Sequence, residues 1–444
     1  MKGDFTRITF DKARHFSRVL MQQGRVQLDA DWNEQAAILL HYLQALAADL
    51  IGPFGGPDQN CGFIIAEKDA DFAIGPGHYY VDGILCENDQ SDLTYFSQAD
   101  YPLPPNSKLP GKTHLVYLDV WERHITSLED GRIREVALGG ADTATRAKVV
   151  WQVRVTEKQP DGKDIPAGIS RDDLLKRWPD WVAAWKANST GQLRARLKPD
   201  QASNDPCTIQ PSSAYRGQEN QLYRVEIHSG GTVKTDQPAF KWSRDNGSIA
   251  AAWLGNAGDG ALIPSRAYGF EADQWIEIAN ESDDIAGVAG QLHKIVKVEG
   301  GALYLETSEA WDKTIRKNLR RWDQKETEGI KLQSGAVPIG EGTADAAWID
   351  LENGLQVQFQ PNGTYRVGDY WLIPARTATG NIEWPTEHTP DGQERKDANG
   401  NPIPAALAPD GIEHHFAPLA LIGVKDNKVT LRFDLLRKFA PIKP

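Results

Sequence analysis

Residues 72–86 read Phe72-Ala-Ile-Gly-Pro-Gly-His-Tyr-Tyr-Val-Asp-Gly-Ile-Leu-Cys86, and this stretch decides the fold class of the chain. Short runs rich in β-branched and aromatic residues alternate here with two turn signals, Gly75-Pro76-Gly77 and Asp82-Gly83. An Asp-Gly pair between apolar runs is a strong signal for a two-residue β-hairpin. The stretch therefore predicts short strands joined by tight turns.

The same pattern extends outward over most of the chain, which contains 40 Gly, 26 Pro and 14 Trp among 444 residues. A chain of this length exceeds one ordinary hydrophobic core. The sequence predicts a mainly β protein, with several β-sandwich or β-barrel domains in series, an N-terminal arm and helix, and one helical insertion. The predicted units are 1–60 (arm and helix for docking or oligomerisation), 61–156 (β-domain), 157–206 (insertion with a Trp-rich helix), 207–345 (β-domain) and 346–444 (C-terminal β-domain).

The first residues are predicted to form an extended arm that runs into a helix over residues 32–51. Asp31 is placed to cap this helix, and Glu34 is placed to reach back to the amide of the cap. Gly52-Pro53 is expected to end it. An ordered arm and helix of this kind usually dock onto something, either the core of the same chain or a partner.

The predicted helix has more apolar surface than one contact face requires. Its heptad-like stripe consists of Leu39, Leu43, Leu46 and Leu50. One interpretation is a helix packed only on its own β-domain. The other is an assembly helix whose second face packs against other copies around a symmetry axis.

Charge and composition exclude several classes of protein. The formal net charge is -12, and this disfavours binding to nucleic acid or to an anionic membrane surface. No apolar run is long enough to span a bilayer, and the first residues lack the pattern of a signal peptide. The sequence thus predicts synthesis in the cytoplasm and no direct membrane insertion. Cys61, Cys86 and Cys207 are expected to be reduced thiols, with a Cys61–Cys86 disulfide as the alternative.

No motif in the sequence adds up to an active site, a cofactor site or a metal site, so none of these is predicted. Glu413-His414-His415 is the densest set of possible ligands. Adjacent histidines on an extended backbone point to opposite faces, which makes a shared metal difficult. A structural turn with hydrogen-bonded imidazoles is the preferred interpretation.

Tryptophan residues suggest a different kind of site. Trp371 and Trp384 are candidates for a platform that stacks on a surface glycan, but core packing is the preferred interpretation for both. Trp178, Trp181 and Trp185 form a stripe on the predicted insertion helix. This stripe is expected to pack against its parent domain rather than to bind a ligand.

Several segments together resemble an uncharacterised bacterial family encoded near phage-tail-like contractile injection systems. They are Met1-Lys-Gly-Asp-Phe-Thr-Arg7, Ser17-Arg-Val-Leu-Met-Gln-Gln-Gly-Arg-Val-Gln-Leu-Asp-Ala-Asp-Trp-Asn-Glu34, Tyr117-Leu-Asp-Val-Trp-Glu-Arg123, Tyr215-Arg-Gly-Gln-Glu-Asn-Gln-Leu-Tyr-Arg-Val-Glu-Ile227, Phe240-Lys-Trp-Ser-Arg-Asp-Asn-Gly247, Gly368-Asp-Tyr-Trp-Leu-Ile-Pro-Ala-Arg376 and Gly411-Ile-Glu-His-His415. The arm and helix also resemble, more weakly, the attachment regions of phage baseplate and tail-fibre proteins.

The resemblance implies the context of such a particle. The docking-type N-terminus, the serial β-domains, the acidic charge balance and the lack of an active-site motif favour a non-enzymatic structural or adaptor component of it, associated with its fibre or baseplate. The expected partners are other particle proteins and further copies of the chain, with a trimer as the stoichiometry that fits a fibre. The particle itself would be cytoplasmic, membrane-attached or released. The alternatives are a glycan-binding module or glycan hydrolase carried by the particle, and an effector loaded into it.

Overall fold

The computed structural model describes residues 1–186, 189–199, 214–327, 330–398 and 400–440. Within these ranges the chain is mainly β, and its strands form six sheets, of which one is a closed barrel. The predicted fold class is therefore confirmed.

The helices of the described residues are α1 (Asp29–Ile51), α2 (Arg171–Trp185) and α3 (Glu281–Ala286). The strands, in chain order, are β1 (Phe54–Pro57), β2 (Ile65–Lys68), β3 (Asp71–Ile74), β4 (Gly77–Val81), β5 (Ile84–Asn88), β6 (Thr113–Ile125), β7 (Arg146–Thr156), β8 (Leu193–Leu197), β9 (Gln221–Ser229), β10 (Ala239–Ser243), β11 (Ala250–Asn256), β12 (Leu262–Pro264), β13 (Trp275–Asn280), β14 (Gln291–Glu299), β15 (Ala302–Leu305), β16 (Lys317–Trp322), β17 (Val337–Pro338), β18 (Ile349–Asp350), β19 (Leu355–Phe359), β20 (Tyr370–Arg376), β21 (Asn381–Ile382), β22 (His415–Lys425), β23 (Lys428–Asp434) and β24 (Lys438–Phe439).

Three hydrophobic cores organise these elements. The first core joins the sheets β24-β1-β4-β5 and β23-β22-β6-β7, and α2 packs on it through the buried rings of Trp178 and Trp181. This confirms that the tryptophan stripe packs on a parent domain. The second core joins the sheets β17-β10-β9-β20-β21 and β18-β19-β8. The third core fills the barrel β11-β12-β15-β14-β13-β16.

The cores do not follow the predicted boundaries, because distant segments pair with one another. Strand β8, which was predicted to lie in the 157–206 insertion, pairs with β19 in the second core. The predicted 346–444 unit is divided, since β18 to β21 lie in the second core whereas β22 pairs with β6 in the first. The predicted 207–345 unit holds part of the second core together with the whole barrel.

Local turn chemistry, in contrast, was predicted well. Asp82 and Gly83 have φ angles of 48° and 80° and connect β4 to β5, with Val81 paired to Ile84. Both residues adopt the left-handed conformation that a tight hairpin requires. Gly52 ends α1 at a φ of 89°, and its N–H donates to the Ala48 carbonyl. The predicted hairpin and helix stop are both confirmed.

The start of α1 differs from the prediction. The helix begins at Asp29, so Leu28 occupies the cap position without a side-chain hydrogen bond, and Asp31 lies inside the first turn. Glu34 does not reach back to a cap amide but accepts a hydrogen bond from Thr9 Oγ1 at 2.7 Å. The prediction for Glu34 failed because the arm, rather than the cap of the helix, supplies the partner of its carboxylate.

Cys61 and Cys86 are buried free thiols, which confirms the reduced state expected for them. Burial raises the pKa of both thiols, so neither is an activated nucleophile. The third cysteine, Cys207, lies outside the described residues.

Candidate functional site

The outward face of α1 presents a row of large apolar side chains that the described residues leave uncovered. Leu39, Leu43, Leu46 and Leu50 are 54, 64, 58 and 69% exposed. Trp32, seven residues before Leu39, is 79% exposed. The structure therefore brings all four predicted leucines onto one face, and this face points away from the cores of its own chain. We call it the leucine seam.

The inward face of α1 packs on the first core over a small area. Only Ala30 and Ile38 are fully buried along the helix. The closest approach is at the hairpin, where a Cβ atom added to Gly83 would lie 2.1 Å from the backbone oxygen of Gln44. The absence of a side chain at Gly83 therefore lets the helix rest directly on the hairpin.

Replacing Gly83 with alanine is expected to lower the free energy of unfolding by about 2–5 kcal/mol, since backbone strain at positive φ costs about 1–2 kcal/mol and overpacking costs about 1–3 kcal/mol. Gly24→Ala is the matched control, because Gly24 has a φ of 70° and nothing within 4 Å of an added Cβ. Denaturant titration of both variants measures the difference. Equal losses in the two variants would contradict the close approach of helix and hairpin.

The arm runs along the first turns of α1 and is held by side-chain hydrogen bonds. The Asp29 carboxylate accepts from the backbone N–H of Thr6 at 2.8 Å and from its hydroxyl. The backbone N–H of Val19 donates to Gln35 Oε1 at 2.8 Å. These bonds explain why the helix starts with acidic and amide side chains that do not cap it.

Met1 and Lys2 line a cleft with a volume of 1190 Å³, whose other lining residues come from segments around all three cores, among them Trp121 in β6, Glu226 in β9 and Glu277 in β13. Lys2 Nζ lies 2.9 Å from Glu226 Oε1. The backbone carbonyl of Met1 accepts from Arg224 and from the Asn246 amide, and that of Gly3 accepts from the same amide at 2.9 Å. The cleft thus recognises an extended backbone with a lysine in the middle. We call it the arm cleft.

A compact charge network forms the floor of the arm cleft. Lys241 Nζ lies 3.3 Å from Glu226 and 2.5 Å from Glu277, and its side chain is 1% exposed. Arg224 Nε lies 2.6 Å from Glu226. Trp322 donates its indole N–H to Glu277 at 2.9 Å. Each buried carboxylate therefore has at least one cation and a full set of hydrogen-bond donors, as buried charge requires.

The network keeps both of its carboxylates ionised. Burial by itself would raise the pKa of Glu226, but Lys2, Arg224 and Lys241 outweigh it and hold the pKa well below its usual range. For Glu277 burial is likewise outweighed, by Lys241 and Lys2, and its pKa falls to about 2. Neither group can act as a proton donor near neutral pH, and both are already neutralised as bases.

The sequence patterns did not single out this network. The sequence feature that could have revealed the network is a charged residue in the middle of an otherwise apolar strand. These residues are Arg224 and Glu226 in β9, Lys241 in β10 and Glu277 in β13. In a strand with a solvent-exposed face such residues are ordinary. Only when both faces are known to be buried does the pattern indicate an internal charge cluster.

The two histidines of the Glu413-His414-His415 segment have separate partners. His414 Nδ1 lies 2.6 Å from the buried carboxylate of Asp119. His415 Nδ1 lies 2.8 Å from Asp82. The preferred interpretation of hydrogen-bonded structural imidazoles is confirmed. Among the described residues, no group of three or more His, Cys, Asp or Glu side chains is arranged to hold a metal ion.

The candidate glycan platform is not formed. Trp371 is 2% exposed in the second core, and its indole N–H donates to the Leu407 carbonyl at 2.9 Å. Trp384 packs against the same core and donates to the Ala405 carbonyl. For Trp371 the preferred interpretation, core packing, is confirmed, because its ring is buried in the second core and has no face open to a sugar.

None of the described helices combines the length and apolar character needed to cross a membrane.

A family model described as a family of unknown function (DUF6519) matches residues 1–178, 176–264 and 295–438. A search of curated proteins and a search of solved structures gave no match. The matched segments include the arm, α1 and strands of all three cores. The chain therefore belongs to the DUF6519 family, whose function is unknown.

Proposed function

We propose that this protein is a non-enzymatic structural component that assembles with copies of itself through α1, within a phage-tail-like contractile injection particle. The observation that carries the proposal is the leucine seam. The particle is suggested by the sequence resemblance alone, and the fibre or baseplate is the part of it that the arm and helix suit best.

The spacing of the seam supports self-association in particular. Successive steps from Leu39 to Leu43, Leu46 and Leu50 are four, three and four residues. This is the 3.5-residue period that lets identical helices pack knobs into holes. A stripe on a helix that covered only its own β-domain would point inward, whereas this one points to solvent. A second copy of the same helix is the partner whose surface matches it.

The arm adds to the uncovered apolar surface. Its exposed apolar side chains are Ile8, Phe16, Leu20, Met21, Val26 and Leu28. Apolar residues clustered in this way on the surface usually mark a protein–protein interaction site. The arm and the seam are contiguous in sequence, so one interface can cover both.

The arm cleft does not favour an enzyme or a loaded effector. Its volume of 1190 Å³ is somewhat above the range of about 300–1,000 Å³ that is usual for small-molecule sites. Its two opposed carboxylates are bridged by Lys241, and the chain's own Lys2 lies against one of them. Glu226 and Glu277 are paired with cations inside the protein, so these two carboxylates hold structure together and neither faces a substrate as a general base or acid.

Multi-angle light scattering of the purified protein at micromolar concentration tests the proposal. We expect a mass of two or more times 49.1 kDa, and three copies is the number that fits a fibre. A stable monomer of 49.1 kDa at that concentration would refute assembly through α1.

A further inference from the structure

We infer that in the assembled protein residues 1–11 of each copy lie in the arm cleft of a neighbouring copy. This exchange of arms rests on the proposed self-association through the leucine seam. It names what the arm cleft binds in the assembly: an extended, lysine-bearing segment from a second copy of this chain.

The first step of the argument is that the arm tip is bound at a preformed site. Its polar contacts in the arm cleft are to strands β9 and β20 and to the loop after β10, and the ring of Phe5 faces His124 of β6. Besides the contacts of Met1, Lys2 and Gly3, the Thr6 carbonyl accepts from Arg376 at 3.0 Å, and Arg7 lies 3.4 Å from Glu383. The tip is therefore a ligand for a site that the rest of the fold completes.

The second step concerns the linker between the tip and α1. Every residue from 11 to 28 is exposed except Val19, which is half-buried. Phe16, Leu20, Met21 and Val26 thus expose apolar side chains along a segment that the backbone N–H of Val19 ties to Gln35 of α1. A linker that is uncovered in one copy is free to take another path when a second copy is adjacent.

The third step concerns whether the linker is long enough to bring the arm tip to the arm cleft of a neighbouring copy. Seventeen residues, from 12 to 28, span at most about 55–60 Å when extended. Helices that pack along a seam have axes about 8–10 Å apart. If the seams of two copies pair, the helix of the neighbour and the entrance to its arm cleft fall within the range of the linker.

The fourth step is energetic. Exchange of an identical segment keeps every contact of the tip, because the neighbour's cleft is the same cleft. The hydrogen bonds of Thr6 and Thr9 to the start of α1 would likewise form on the helix of the neighbour. Exchange also buries linker side chains between copies, which favours it over a tip bound within one chain.

Photo-crosslinking distinguishes the two arrangements. Phe5 is replaced by a benzophenone-bearing phenylalanine, because its ring centroid lies 6.0 Å from that of His124 in the arm cleft. After irradiation, denaturing gels separate linked chains by mass and peptide mass spectrometry locates the bond. We expect a covalent dimer of twice the 49.1 kDa chain, with residue 5 of one chain joined to the 121–125 region of another.

The same probe at Phe10, which faces His41 of α1 at 5.8 Å, gives a second readout if the Phe5 variant does not fold. The probe at Trp185, whose ring stacks on Tyr117 at 4.1 Å within the first core, is the control for an internal link. An oligomer in which the residue 5 link lies within one chain would overturn arm exchange and leave the proposed function intact. A monomer by light scattering would overturn both.

Discussion

Replacing Leu43 and Leu46 with glutamate is expected to convert the assembled protein into monomers. Burying one leucine contributes about 2 kcal/mol, so two copies that each lose two leucines lose about 8 kcal/mol of association free energy. At about 1.4 kcal/mol per factor of ten, the dissociation constant rises by about 10⁵-fold or more. Analytical ultracentrifugation across a concentration series measures this change directly.

The matched control for the seam variant is Asn33→Glu with Ala45→Glu. These two positions are exposed on α1 but lie away from the leucine seam, and the variant adds the same number of charges. We expect its mass to equal that of the unchanged protein. If the control dissociates to the same extent, charge on the helix rather than the seam decides assembly, and the seam is not the interface.

The second large effect is expected at the floor of the arm cleft. Glu277→Gln keeps an acceptor for the Trp322 indole N–H but removes the charge that faces Lys241 at 2.5 Å. Breaking a buried ion pair by removing one partner typically costs about 3–5 kcal/mol, and here the buried Lys241 would keep only Glu226, at the longer distance of 3.3 Å. Denaturant titration near neutral pH should show a loss of that size in the free energy of unfolding.

The pH dependence of the free energy of unfolding gives an independent measure of what Glu277 contributes to stability. The pKa of Glu277 is about 2 in the folded protein, against an ordinary value of 4.5. A carboxyl group with a lowered folded pKa contributes stability above its unfolded pKa, and the contribution is lost as the pH falls towards the folded pKa. The stability gap between the unchanged protein and Glu277→Gln should therefore narrow as the pH falls from about 5 to 2.

Asp161→Asn is the control for this variant. Asp161 and Lys163 form an ion pair at 2.9 Å with side chains that are 52 and 79% exposed. Surface pairs of this kind contribute little because water already solvates both charges. We expect no measurable change in stability from the control. A Glu277→Gln protein as stable as the control would show that the cluster is not a stabilising network.

The sequence was sufficient to predict features that depend only on residues adjacent in the chain. The Asp82-Gly83 hairpin and the end of α1 at Gly52 each follow from the backbone preferences of one or two residues. The exposed leucine spacing on α1 was also visible, since helical periodicity is a local property. What the spacing could not decide was which face would be covered, because this depends on the position of the first core.

Features that depend on distant pairing could not be predicted. Val120 in β6 pairs with His415 in β22, and nothing in either segment specifies the other. The charge cluster is a similar case, because Glu226, Lys241 and Glu277 meet only when β9, β10 and β13 are brought together. The predicted start of α1 was wrong for the same reason. The helix begins at Asp29, and the carboxylate of Asp29 is bonded by Thr6, which lies in the arm.

The pairing of β22 with β6 also fixes an order of events during synthesis. One edge of β6 is completed by β7, but the other waits for residues 415–425, which leave the ribosome after the second core and the barrel. Until then β6 presents an open row of backbone donors and acceptors, which is a template for aggregation. The first core, whose strands are translated first, is thus the last to close. A chaperone that shields the open edge of β6 would have to stay bound until β22 has been synthesised.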